Sequence, residues 1–155
     1  MFKRDACQAT FLKRLDKHYD EMKWLYGELY HGDEKAFDYF CEMLARAYDE
    51  RSTKLRNWDK KREKDPDWYK GNSLLGMMLY TKAFAKNLKG VYEKLPYLRE
   101  CGVNYVHLMP LLESPEGKSD GGYAVSDFKK VDPECGTMDD LARLTEACHD
   151  NEMVV

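Results

Sequence analysis

The chain has 155 residues, 43% hydrophobic and 13% aromatic, with 25 Lys and Arg against 28 Asp and Glu for a formal charge of −3. That composition suffices for a packed core and excludes an unfolded or collagen-like chain. The nearly balanced charge leaves no electrostatic footprint for nucleic acid, and none is expected as a partner. No run approaches the roughly 18 apolar residues of a membrane helix, so no membrane partner is expected either.

Met1-Phe2-Lys3-Arg4-Asp5 opens without the apolar stretch of a secretion signal. Phe11, Leu12, Leu15, Tyr19, Met22, Leu25, Tyr26, Leu29 and Tyr30 then recur at steps of three and four, which predicts one face of a helix. Gly32 stops that run, and Asp33 is placed to cap the next helix by accepting from its free N–H groups. Phe37, Phe40, Cys41, Leu44, Ala45 and Tyr48 form a second stripe. Arg51 to Lys64 is polar, anchored by Leu55 and Trp58. Its basic residues Lys60, Lys61, Arg62 and Lys64 are interleaved with acids and read as a solvated face rather than a binding patch. Asp65-Pro66-Asp67 breaks the helix and is expected to start another with Trp68 and Tyr69.

Near residue 75 the pattern changes. Leu75 to Tyr80 is a short, nearly continuous apolar run, expected to be a buried strand. Leu88, Val91, Tyr92, Leu95 and Leu98 follow at helical spacing, with a kink or restart at Pro96 and an end at Gly102. Val103 to Met109 is a second strand, stopped by Pro110. A long polar loop is expected from Leu112 to Gly136. Thr137, with Asp140 three residues on, marks a helix start, and Met138, Leu141, Leu144 and Cys148 form its buried stripe. Met153-Val154-Val155 begins a further strand. Strand, helix, strand, helix and strand start predict an α/β parallel sheet. Because parallel strands are buried on both faces, the expectation is a chain cut inside a larger α/β domain; a small fold closed by its own helices is the alternative.

The cysteines Cys7, Cys41, Cys101, Cys135 and Cys148 are odd in number and scattered, as expected of free thiols in a reducing, cytoplasmic setting. None has zinc-ligand spacing, and no metal site is expected. No phosphate-loop or nucleophile-elbow motif occurs. His107 inside a strand is expected to be a hydrogen-bonded core residue. Glu113 with Glu116, or Asp120 with Asp127, would be the available acid/base pairs, but carboxylates in an exposed loop are expected to be solvated.

The loop from Glu113 to Phe128 holds the chemistry. Loops after parallel strands lie at the carboxyl end of the sheet, where binding sites collect. Gly121 and Gly122 permit a sharp turn that presents Asp120 and Tyr123 together. A carboxylate accepts two hydrogen bonds from neighbouring sugar hydroxyls, and an aromatic ring stacks on the apolar face of a pyranose. The pair therefore reads as a sugar clamp. Asp-Gly-Gly is equally ordinary turn chemistry, with Tyr123 as a loop anchor, and spacing alone leaves both readings open.

Gly102 to Leu112, Pro115-Glu-Gly-Lys-Ser-Asp-Gly-Gly-Tyr-Ala-Val-Ser-Asp127 and Gly136-Thr-Met-Asp-Asp-Leu141 closely resemble the amylosucrases and their relatives in glycoside hydrolase family 13, the α-amylase family. Phe11-Leu-Lys-Arg-Leu-Asp16 and the helical run after it are similar to the amylosucrase N-terminal helical domain. The resemblance implies an all-helical domain over residues 1–73 and the start of a (β/α)8 barrel over 74–155. Strand 1 would be Leu75 to Phe84, strand 2 Asn104 to Met109, and strand 3 would begin at Met153. A complete barrel needs roughly 200 residues or more, so only its beginning fits. Family members often end strand 1 in Asp-Arg-Phe, where this chain reads Lys82-Ala83-Phe84.

By the same resemblance, Asp120 binds the glucosyl unit before the scissile bond and Tyr123 stacks on it. The parent would be a retaining enzyme acting on sucrose or an α-glucan, transferring glucose to water or a growing chain through an Asp nucleophile and a Glu acid/base, with no cofactor. Those carboxylates belong to later strands and are absent from this sequence, so no catalytic residue is assigned and the chain alone is expected to be inactive. The alternatives are a helical interaction or carbohydrate-binding module, or a truncated gene product without an independent role.

Overall fold

The computed structural model describes the chain from Ala6 to Val155, with side chains from Gln8 onward. Met1 to Asp5, where no secretion signal was expected, and the Cys7 thiol lie outside the described residues. The chain separates into two compact units, one running to Pro66 and the other from Asp67 to Val155.

The first unit is all helical, with α1 (Ala6–Tyr30), α2 (Glu34–Glu50) and α3 (Thr53–Arg62). The spacing of the aromatic residues on α1 and α2 makes one seam. Tyr19 meets Phe37 edge-on at 5.4 Å between centroids, Tyr26 stacks on Phe40 at 5.8 Å, and Phe11 lies 5.6 Å from Tyr48; offset and edge contacts of this kind add to simple area burial. Asp33 caps α2 by accepting from the Ala36 N–H at 3.0 Å, and Ser52 caps α3 through the Leu55 N–H. Arg51 donates two bonds to Asp59, at 2.7 and 2.8 Å, fixing the α2–α3 corner with a bidentate pair.

The second unit carries β1 (Gly76–Tyr80), α4 (Thr81–Ala85), α5 (Leu88–Glu93), α6 (Leu95–Glu100), β2 (Tyr105–Met109), β3 (Leu112–Glu113), β4 (Asp127–Val131) and α7 (Met138–Asp150). β1 and β2 are parallel, in a register that sets Gly76 opposite Tyr105 and Tyr80 opposite Met109. Val154 bridges Tyr105 in the same sense: the Val106 N–H donates to its carbonyl at 2.7 Å, and its N–H donates to Asn104. A third parallel strand therefore starts where the apolar Met153-Val154-Val155 placed it. Leu79, Leu88, Val91, Leu98, Val106, Leu144, Cys148 and Met153 make a core between one face of the sheet and the helices α5, α6 and α7. The Thr137–Asp140 capping box that opens α7 is formed in both directions. This is the architecture of the opening βα units of a (β/α)8 barrel, preceded by a helical segment.

Several expectations are corrected. Strand 1 ends at Tyr80, and Thr81 to Ala85 turn into a helix instead of extending the strand to Phe84. The Ala85 carbonyl then lies 1.9 Å from where a Gly90 Cβ would sit, so only glycine lets α5 approach α4. β1 is not buried on both faces: Met77 and Leu79 face the core, whereas Met78 is 66% exposed on the other side of the pleat. His107, opposite Met78, is likewise exposed rather than a core residue. Trp68 and Tyr69 sit in turns, not a helix. The expected long loop contains an antiparallel pair, β3 with β4, whose short, mostly polar strands gave little periodic signal. Pro96 sits in the first turn of α6 and separates it from α5, as a residue without an N–H does best.

Candidate functional site

Parallel strands deliver side chains to one end of the sheet. β1 ends in Tyr80 and β2 in Met109, register neighbours at the carboxyl edge. Pro110 stops β2, and the chain leaves through the β3–β4 excursion before α7. Inside it, Asp120 to Gly122 form a single 3-10 turn.

The turn exists because three successive residues take positive φ: Asp120 at 50°, Gly121 at 68° and Gly122 at 95°. Aspartate is among the few non-glycine residues that tolerate this region. A Cβ on Gly122 would stand 2.5 Å from the Pro110 Cγ, so the turn lies directly on the proline that ends β2. The Gly122 and Ala124 N–H groups donate to the Ser119 carbonyl at 2.9 and 2.8 Å, and the Ser126 N–H donates to Glu113 at 2.9 Å. These bonds fold the loop back over the strand end.

Asp120 and Tyr123 leave this turn as exposed side chains. The Tyr123 hydroxyl donates to the Tyr80 hydroxyl at 3.2 Å and lies 3.8 Å from the Met109 Sδ. Its hydrogen bond to Tyr80 holds the phenol above its ordinary pKa. The structure thus brings Asp120 and Tyr123 to one turn and ties that turn to the ends of both strands. The other loop carboxylates are employed differently. Asp127 accepts from the Lys129 N–H and pairs with Lys130, which also reaches Glu113 at 3.9 Å. The backbone bond from Lys129, and then Lys130, hold Asp127 below the ordinary carboxylate range. Both Glu113 and Asp127 are engaged by Lys130 and stitch the β3–β4 pair.

Two residues of the site area were missed in the sequence. Tyr80 was counted only as the last member of an apolar run; its place at a strand terminus, where side chains face a binding edge, was the available signal. Lys82 pairs with Asp132 at 3.0 Å and with Glu134. It ties α4 to the connection between β4 and α7. Among the described residues no group of His, Cys, Asp or Glu could hold a metal ion.

Strand–helix–strand units with a polar loop folded over the carboxyl edge define the opening of a βα-barrel type of domain. Residues 80–155 match the family described as Alpha amylase, catalytic domain. The α-glucosidase of Schizosaccharomyces pombe is 34% identical over 95 residues, covering 57% of this chain and 16% of the relative. The trehalose synthase/amylase TreS of Mycobacterium tuberculosis is 36% identical over 92 residues, covering 55% and 15%. Among solved structures, Bacillus licheniformis trehalose-6-phosphate hydrolase aligns with a TM-score of 0.51 at 30% identity, over 56% of this chain and 16% of that one. A MutB variant crystallised with its substrate sucrose aligns at 0.50 and 32%, over 57% and 16%. The chain therefore spans about a sixth of the length of the relatives it matches.

Proposed function

We propose that this chain supplies one wall of the glucosyl-binding subsite of a retaining α-glucoside-active enzyme, with Asp120 accepting from sugar hydroxyls and Tyr123 stacking on the ring. The observation that carries this reading is the turn itself. Positive φ at three successive residues and the contact of Gly122 with Pro110 project an exposed carboxylate and an exposed ring together at the carboxyl edge of parallel strands. A turn serving only to anchor the loop would bury its tyrosine, and Tyr123 is 51% exposed.

The substrate is sucrose or another α-glucoside. The Ser119-Asp-Gly-Gly-Tyr-Ala-Val-Ser126 stretch favours the amylosucrase branch, and the sucrose-bound MutB structure is a relative of the required chemistry. Residues 74–155 act as the opening of the barrel, and residues 1–73 as a helical domain before it. No carboxylate described here is placed as nucleophile or acid/base, so the 155-residue chain binds without turning over; in the parent, retaining chemistry places two carboxyl groups about 5 Å apart across the scissile bond. The free thiols Cys41, Cys101, Cys135 and Cys148 fit a reducing, cytoplasmic compartment.

Calorimetric titration of the chain with sucrose, glucose and maltotriose tests the proposal. Saturable binding that Asp120→Ala and Tyr123→Ala each abolish is expected. Binding unaffected by both substitutions, or sucrose hydrolysis by the purified chain, would contradict it.

A further inference from the structure

From the paired hydroxyls at the strand ends we infer that Tyr80 is a positioning residue for sugar binding, holding the plane of the Tyr123 ring. The inference rests on the clamp reading above and goes beyond it by assigning a role to β1. Stacking on a pyranose requires a ring held in one plane. The backbone of Tyr123 is fixed by the turn on Pro110, but its ring is half exposed, and the turn alone leaves its side-chain torsions free. Tyr80, itself 53% exposed, gives the Tyr123 ring a second point of attachment. Its backbone is locked in the parallel ladder opposite Met109 and forms the N-terminal boundary of α4. Its hydroxyl receives the Tyr123 proton at 3.2 Å. The Met109 sulfur at 3.8 Å is a weak acceptor and no substitute. One hydrogen bond thus joins the tip of the stacking ring to the end of the first strand, across 43 residues of sequence.

The test uses the full chain with Tyr80→Phe, Tyr123→Phe and the double variant, alongside Tyr123→Ala. Each phenylalanine removes a single oxygen and keeps its ring. Sucrose affinity is read by calorimetry, and the ionisation of Tyr123 by the pH dependence of its Cζ chemical shift in ring-labelled protein. The expected result is that Tyr80→Phe weakens sucrose about twofold to tenfold, the range a single net hydrogen bond supplies. Tyr123→Phe should do the same, and the double variant no worse than either, because the two hydroxyls act as one unit. Tyr123 should also ionise at lower pH in Tyr80→Phe, a response that a purely structural role for the Tyr80 ring would not produce. If Tyr80→Phe binds like the parent while Tyr123→Ala abolishes binding, the positioning role is wrong and the clamp stands. If Tyr123→Ala binds normally, or the parent chain binds no sugar, the clamp reading falls and the positioning role with it.

Discussion

Gly122 is the residue on which the candidate site turns. Its φ of 95° and the 2.5 Å gap between its virtual Cβ and Pro110 leave no room for any side chain. Gly122→Ala is expected to displace the Asp120–Tyr123 turn and reduce sucrose affinity at least tenfold while leaving the core intact; unchanged affinity with an unchanged thermal midpoint would show that the turn is not strained as described. Asp59 makes a residue-scale prediction in the first unit. The bidentate bonds from Arg51, against some burial, hold its carboxylate below the ordinary range. A folded-state pKa below the unfolded one contributes stability that is present above the unfolded value, about 3.9, and is lost as the pH falls through the folded one. Helical signal of the first unit should therefore decline at acidic pH, and the decline should be shallower in Asp59→Asn, which is less stable at neutral pH. Parallel acid profiles for the two proteins would contradict this. Residue type marked Asp120 and Tyr123 as candidates and left the clamp and loop-anchor readings both open; Tyr80 was hidden, because a hydroxyl bond across 43 residues leaves no local pattern.

At the scale of elements, helical periodicity was the readable signal. The helices α1, α2 and α7 and the Thr137–Asp140 cap lie where the spacing placed them, because both depend on neighbours within four residues. Of the stripe expected to be buried on α7, Leu144 and Cys148 are buried but Met138 is exposed, and Leu25, Leu29 and Tyr30 of the α1 stripe are exposed as well. β3 and β4 escaped notice because their pairing is set by partners up to 19 residues apart, Leu112 with Val131. The apolar run ended β1 at Tyr80, as observed, and only the resemblance carried the strand on to Phe84; the fold turns Thr81 to Ala85 into α4, where Lys82 meets Asp132 and Glu134. The element that organises the second unit is the α5–α6 helix pair beneath β1 and β2. Leu98 is fully buried in it, and Leu98→Ala should cost about 3 kcal/mol by lost transfer energy and the cavity left behind. Denaturant titration that shows a loss below about 1 kcal/mol would mean that this core is loosely packed.

For the whole molecule, the two units differ in what they reveal. The helical unit carries capped helices and an aromatic seam. The second unit has a sheet covered on one face and open on the other, where Met78 and His107 stand exposed. Among the described residues no helix is long and apolar enough to cross a membrane. The family match from residue 80 onward agrees with the βα order read from periodicity. The central claim is that the Asp120–Tyr123 turn, with the ends of β1 and β2, receives a glucosyl unit. Amide chemical-shift mapping of the 155-residue chain titrated with sucrose tests it most directly. The account predicts saturable shifts concentrated at Ser119 to Ala124, Tyr80 and Met109. Shifts confined to the helical unit, or none at any of these positions, would contradict it.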